Sequence, residues 1–361
     1  MQLQDQNVLF FTRTMALGGT ENVILQLCEV FKPLVHNIVV CSSGGINEEK
    51  LSAMGIRHYT IPDIEKKSIH NLLSIPAELK KIIRQEKITV IHTHHRMAAF
   101  YCQIMGLSKK IKYINTSHTV FYDKKRLTHL SFHGFNLISC GDGVKKSLTE
   151  GLGFHPDRIM TICNGIKMTP DEEGETIIQA AEAKEAGRLV FAAIGRLSKE
   201  KGVSFLIKAV SLLKRTDILC LIVGSGPEEE ELKKLTDSLH LSDKILFLGF
   251  RSDVKNIISQ VDFVVQPSLQ EGLPLTPIEA FSQGKTVVGT NIEGTAEIIE
   301  DGINGILVAP ADEKALAEAI DRMSSDTEHK EKMEKQALQT YKGKYAFDVF
   351  ADNYIKYYER L

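Results

Sequence analysis

The chain has no tryptophan among its 361 residues, and its basic clusters are not interleaved with aromatic residues. Nucleic acid is therefore a poor partner, because single-strand binding needs stacking faces set among cations. The six cysteines, Cys28, Cys41, Cys102, Cys140, Cys163 and Cys220, are scattered singly. Without a CxxC pair there is neither a redox motif nor a zinc site, and reduced thiols in a cytosolic protein are the expectation. No apolar run approaches the ~20 residues that cross a bilayer. The opening residues, MQLQDQNVLFFTR, lack the basic n-region and long apolar h-region of a signal peptide. A cytoplasmic protein is expected. Also missing are a GxGxxG fingerprint, a GxxxxGKS/T phosphate loop and any DxD triplet. The first absence counts against a nicotinamide-dependent enzyme. The last counts against a divalent ion held by paired carboxylates, so no metal and no cofactor is expected.

What is present describes a soluble globular protein: 43% hydrophobic and 25% charged residues. The length suits two domains. A net charge of -2 conceals an asymmetry, for residues 1–170 hold 21 Lys+Arg against 13 Asp+Glu, a surplus of +8. Lys80, Lys81 and Arg84 form one basic cluster, Lys109, Lys110 and Lys112 a second, and Lys124, Lys125 and Arg126 a third. The first half is thus the part expected to face an anionic partner, although solvated helix faces would look the same.

Short runs of Val, Ile and Phe alternate with helical periodicity from end to end. NVLFF (7–11), NIVVCS (37–42), ITVIH (88–92), YINTS (113–117) and LISCG (137–141) read as strands. A second series restarts with VFAAIG (190–195) and continues through ILCLIVGSG (218–226), ILFLGF (245–250), VDFVVQPS (261–268), TVVGT (286–290) and GILVAP (305–310). Strands alternating with helices define an α/β protein with two doubly wound, parallel-sheet, Rossmann-like domains, facing a cleft at the carboxyl ends of the strands. The boundary falls at the acidic stretch 168–188, giving domains 1–168 and 169–345. The final residues, 346–361, read as a helix with an apolar stripe at Phe350, Tyr354 and Tyr357 or Tyr358, packed on a domain surface.

The richest segment is QPSLQEGLPLTPIEA, where Glu271 and Glu279 stand with seven residues between them. Glu271 follows an apolar strand, while Glu279 lies in a helix that Thr276 can cap and Pro277 can open. Strand, loop and helix N-terminus in that order present N–H groups to an anion, and carboxylates beside them can accept hydrogen bonds from hydroxyls. That pairing makes sense for a ligand carrying both a diphosphate and a sugar. In GRLSKEKG, Gly195 to Gly202, Arg196 and Lys201 lie past another strand end, where two cations neutralise a diphosphate. LGGTENV offers Gly18 and Gly19 for close backbone approach, with Thr20 as a cap. GSGP, from Gly224, is a similar turn, but Glu228 to Glu231 behind it disfavour a phosphate at that helix start. IHTHHR places His92 and His94 on one face of a strand end, as cleft-lining or structural groups. His118 also follows a strand, positioned to donate a hydrogen bond or to move a proton.

Taken together these motifs resemble family 4 glycosyltransferases, retaining enzymes of the GT-B fold, over almost the whole chain. The resemblance rests on Gly18-Gly19, Arg196 and Lys201 in GRLSKEKG, GSGP, PSLQEGLPLTPIEA, and Asn164-Gly165. It implies a nucleotide-sugar donor, with UDP the nucleotide expected from the family, whose diphosphate meets Arg196 and Lys201 and whose ribose meets Glu279. It places the transferred sugar against Glu271 and the backbone of Gly272, Leu273, Pro274 and Leu275. Gly19 would approach the phosphates, with Gly195 and Gly224 among the donor-binding glycines, and His118 would lie beside the sugar. Glu271, His118, Arg196 and Lys201 are thus the expected catalytic set, with His92 and His94 on the acceptor side. Pro274 stands where many relatives have glycine, which removes one N–H donor from that loop. The resemblance further implies a glycan, lipid-linked or polysaccharide-precursor acceptor bound by the first domain, and a last helix that crosses back onto it. Peripheral attachment to the anionic inner leaflet is the matching expectation for the basic half. A GT-B sugar-nucleotide epimerase and a non-catalytic sugar-binding relative are the alternatives.

Overall fold

The computed structural model describes residues 2–66, 68–121, 123–167 and 174–361. The chain divides into two compact units, Met1–Gly165 with Asp348–Leu361, and Ile166–Phe347.

The first unit is built on seven parallel strands: β1 (Asn7–Phe11), β2 (Asn37–Ser42), β3 (Arg57–Thr60), β4 (Val90–Thr93), β5 (Lys112–Ser117), β6 (Asn136–Ser139) and β7 (Ile159–Thr161). Their order is β3-β2-β1-β4-β5-β6-β7. The central strand β1 is buried at all five positions, as an uninterrupted apolar run must be when helices cover both faces. The helix Gly19–Phe31 buries Ile24, Leu27, Cys28 and Phe31, one stripe at helical spacing. The last helix, Phe347–Glu359, buries Phe350, Tyr354 and Tyr358, and the Tyr358 ring lies 4.2 Å from that of Phe31.

The second unit has six parallel strands: β8 (Leu189–Ile194), β9 (Ile218–Val223), β10 (Ile245–Gly249), β11 (Phe263–Gln266), β12 (Val287–Thr290) and β13 (Gly305–Val308). They run in the order β10-β9-β8-β11-β12-β13. Each sheet therefore reverses its strand order once, between β1 and β4 and between β8 and β11. Such reversals open a crevice at the carboxyl edge, where this architecture binds ligands.

Residues 168–173 of the acidic boundary stretch lie outside the described residues. Beyond them the stretch is structured, for the helix Ile178–Glu185 buries Ala180 and Ala183 within the second unit. The strands β3 and β7 are not among those read from the sequence. RHYT has no apolar face because it pairs along one side only, and IMT is three residues long. Two helix starts also differ from expectation. The helix bearing Glu279 runs Leu275–Ser282, so Pro277 is its third residue, and Thr276 donates from Oγ1 to the carbonyl of Ile194 at 3.3 Å instead of capping. The first helix begins at Gly19 with Gly18 as its cap residue and no side-chain cap from Thr20.

Candidate functional site

In the second unit the loops after β8 and β11 meet at the strand reversal. Gly202, at φ +64, closes the turn Lys199–Lys201, and a Cβ added there would lie 2.1 Å from the carbonyl oxygen of Pro267. Glycine is thus required twice at this position, by the left-handed backbone and by the close approach. The carbonyl of Glu200 accepts from the N–H of Leu269 at 2.8 Å and fastens the two loops. Gly202→Ala is expected to destabilise the second unit by about 1–3 kcal/mol and to misplace Lys201, a loss that urea denaturation measures.

That packing delivers Lys201 to Glu271. Lys201 Nζ donates to Glu271 Oε1 at 2.7 Å, and the same oxygen accepts from Gln266 Nε2 at 2.8 Å and Ser268 Oγ at 2.7 Å. Gln266 and Ser268 are buried, and the Glu271 side chain is 9% exposed. The two buried donors were not anticipated from sequence; their only signal is a polar pair ending an otherwise apolar strand. Lys201 and Glu271, expected at a diphosphate and at hydroxyls respectively, are also an ion pair with each other. Arg196 is exposed, and its guanidinium has no hydrogen-bonded or ion-paired partner among the described residues. Arg196 and Lys201 help hold the Glu200 carboxyl below its usual range, after the larger effect of the Ser198 hydroxyl.

Around Glu271 the backbone is close-packed. A Cβ on Gly294 would lie 2.3 Å from the carbonyl of Gly272, and Leu273 and Pro274 are buried. Among the described residues the N–H groups of Gly272, Leu273, Leu275 and Thr276 have no acceptor. Glu279 sits in the second turn of that helix, half-buried. A Cβ on Gly224 would lie 1.9 Å from the carbonyl of Gly195, whereas a Cβ on Gly195 would meet only the Lys201 side chain, at 3.9 Å. Glycine at 224 thus lets the turns after β8 and β9 touch.

In the first unit the carboxyl edge gathers Gly18, Gly19, His92, His94 and His118. Glu21 folds back so that a Cβ on Gly18 would lie 2.4 Å from its Oε2, while Oε1 accepts from Thr14 Oγ1 at 2.7 Å. A carboxylate therefore already stands at the start of the helix Gly19–Phe31. The three histidines form a stack, with ring centroids 4.3 Å apart between His92 and His94 and 5.3 Å between His94 and His118. His92 is corrected from a lining group to an interior one. It is 0% exposed, its Nδ1 shares a hydrogen bond with the Tyr358 hydroxyl at 2.8 Å, and its Nε2 shares one with Thr116 Oγ1 at 2.7 Å. Tyr358→Phe leaves that Nδ1 unpaired and is expected to cost about 1–3 kcal/mol, read from the shift in urea midpoint.

Burial drives His92 and His94 well below the usual histidine range, and each is further lowered by the neighbouring imidazoles. Burial brings His118 to about 4. At neutral pH His118 is uncharged, so it suits hydrogen bonding rather than the carriage of a proton as imidazolium. A Ser42–His58–Glu48 array also occurs here, with Ser42 Oγ 2.8 Å from His58 Nε2. Ser42 is fully buried and takes the N–H of Gly44, so it shapes a loop and is no nucleophile. Five of the six cysteines are buried and Cys163 is half-buried.

The two doubly wound units are those of a glycosyltransferase. The family model "Glycosyltransferase Family 4" matches residues 17–169 and "Glycosyl transferases group 1" matches 175–340. The chain belongs to the family 4 glycosyltransferases and has the GT-B fold. It is 25% identical over 299 residues to an uncharacterised glycosyltransferase of Methanocaldococcus jannaschii, covering 77% of each chain. It is 24% identical to the UDP-Gal:alpha-D-GlcNAc-diphosphoundecaprenol alpha-1,3-galactosyltransferase of Escherichia coli, covering 86% of each. Among solved structures it resembles Anabaena HepE in complex with UDP and glucose, with a TM-score of 0.86 at 19% identity, covering 99% of this chain and 100% of that one.

Proposed function

We propose that this glycosyltransferase moves a sugar, with retention at the anomeric carbon and without a metal, from a UDP-linked donor to a glycan, lipid-linked or polysaccharide-precursor acceptor. The observation that carries the reading is the Lys201–Glu271 pair at the β8/β11 reversal, with exposed Arg196 beside it in sequence. Arg196 and Lys201 supply fixed positive charge for the departing diphosphate, which is an electrostatic role. Glu271, anchored through Oε1, turns its remaining acceptor capacity to sugar hydroxyls, and the unpaired N–H groups of Gly272, Leu273 and Leu275 donate to the same ligand. Glu279 accepts from the ribose. The HepE complex supports UDP as the nucleotide, and the diphosphoundecaprenol acceptor of the Escherichia coli relative supports a lipid-linked substrate.

Incubation with a panel of nucleotide sugars, with release of free nucleotide as the readout, tests the assignment. Turnover of one UDP-sugar in the presence of EDTA is expected. If no donor is bound or consumed, the reading fails.

A membrane-surface acceptor also fits the first unit. No helix among the described residues is long and apolar enough to cross a membrane. The helix Ile69–Gln85 exposes Ile69 and Leu73 together with Lys80, Lys81 and Arg84, and each basic residue at an anionic leaflet adds about 1 kcal/mol. Sedimentation is expected with anionic vesicles at low salt. Equal partition onto neutral vesicles would refute this attachment.

A further inference from the structure

His94 is the buried histidine with a polar atom left over. Its Nδ1 stands 3.0 Å from Nε2 of His118, while its own Nε2 is enclosed and meets no partner. His92, on its other face, cannot help, because both of that ring's nitrogens are engaged by Tyr358 and Thr116. His118 is partly exposed and makes no other hydrogen bond among the described residues, so its Nδ1 is the open polar atom of the stack. That atom lies just past the end of β5 (Lys112–Ser117), at the ligand-binding edge of the sheet.

We propose that His94 is a positioning residue that sets the proton of His118: His94 Nδ1–H donates to His118 Nε2, and His118 consequently presents Nδ1–H as a donor to an oxygen of the bound substrate. Both rings are neutral, so one proton occupies the bond between them, and two arrangements exist. In one, His94 keeps its proton on Nδ1 and leaves only a lone pair unpaired at Nε2. In the other, His118 donates and His94 carries its proton on Nε2, stranding a buried N–H. Orphaned buried N–H groups are rarer than unsatisfied acceptors, which selects the first. The surplus lone pair on His94 is thus the mark of a ring held for its other nitrogen.

The identity of the oxygen rests on the transferase reading above; the placement of the proton does not. Full-length protein labelled with 15N-histidine separates the two. The wild type is expected to show His118 protonated on Nδ1 and not on Nε2, with His118→Asn identifying the resonance. His94→Leu removes the donor together with the unpaired lone pair, so the chain stays folded while the His118 proton redistributes onto Nε2. His94→Asn, which places an amide N–H near the original Nδ1, restores the wild-type spectrum. With the donor found by the panel, His94→Leu is expected to lower kcat about tenfold with little change in KM, and His94→Asn to recover most of it. A wild-type His118 protonated on Nε2, a His118 spectrum indifferent to His94→Leu, or an unchanged kcat alongside a displaced proton each overturns the proposal. The expected spectra in a protein that consumes no nucleotide sugar would leave the proton placement standing and remove the transferase reading instead.

Discussion

Glu271→Gln is expected to lower turnover by roughly 10²–10³-fold with little loss of stability. The side-chain oxygen of Gln can still accept from Lys201, Gln266 and Ser268, which all converge on Oε1. What disappears is the negative charge, and with it the proposed pull on sugar hydroxyls and the counter-charge that orients Lys201. Glu271→Ala behaves differently, because it takes the acceptor from the Lys201 ammonium and the buried Ser268 hydroxyl and leaves the Gln266 amide with Ser268 alone. That variant is expected to lose about 1–3 kcal/mol as well as activity. Lys201→Ala is expected to weaken donor binding together with rate, since in the proposed reaction the same cation serves the diphosphate before and during its departure. Nucleotide release and urea denaturation on the three variants separate these effects. Wild-type turnover in Glu271→Gln would remove the carboxylate from the reaction.

A fall in pH from 6.5 to 5 is expected to destabilise the first unit steeply. His92, His94 and His118 are all held below their ordinary range in the folded chain, by burial first. Once unfolded, each takes a proton near pH 6.5. The unfolded chain therefore binds more protons as the pH drops, and stability is full above about 6.5 and declines below it. For His118 the decline ends near pH 4, where the folded ring also titrates. Three such groups give a slope of about 4 kcal/mol per pH unit. His58 and His95 shift in the same direction, against carboxylates that oppose the shift. Urea midpoints across this range measure the slope, and His94→Leu is expected to flatten it by about a third. A midpoint constant from pH 7 to 5 would mean that the stack is charged or open in solution.

Much of this protein was legible in the order of its residues. Apolar runs such as NVLFF and VDFVV, alternating with amphipathic stretches, determine a doubly wound α/β architecture, because only parallel strands covered on both faces bury such runs completely. The Glu271 and Lys201 segments, lying just past strand ends, are placed at a ligand-binding edge by that same alternation. The short edge strands β3 and β7 escaped because an edge strand needs neither length nor an apolar face. Helix starts escaped because Thr276 found the Ile194 carbonyl, a partner more than 80 residues away.

The pairings were beyond the sequence altogether. That Lys201 would neutralise Glu271, that Gln266 and Ser268 would anchor it, and that His92 would be sealed beneath Tyr358 follow from which loops touch. Those contacts are fixed by groups brought together from distant points of the chain, such as Gly202 against the Pro267 carbonyl and His92 against Tyr358, whose proximity no local pattern encodes. Composition and periodicity determine what kind of sheet forms and where its edge lies. The charge state, the partners and the free atoms of the residues on that edge are decided only when the loops pack.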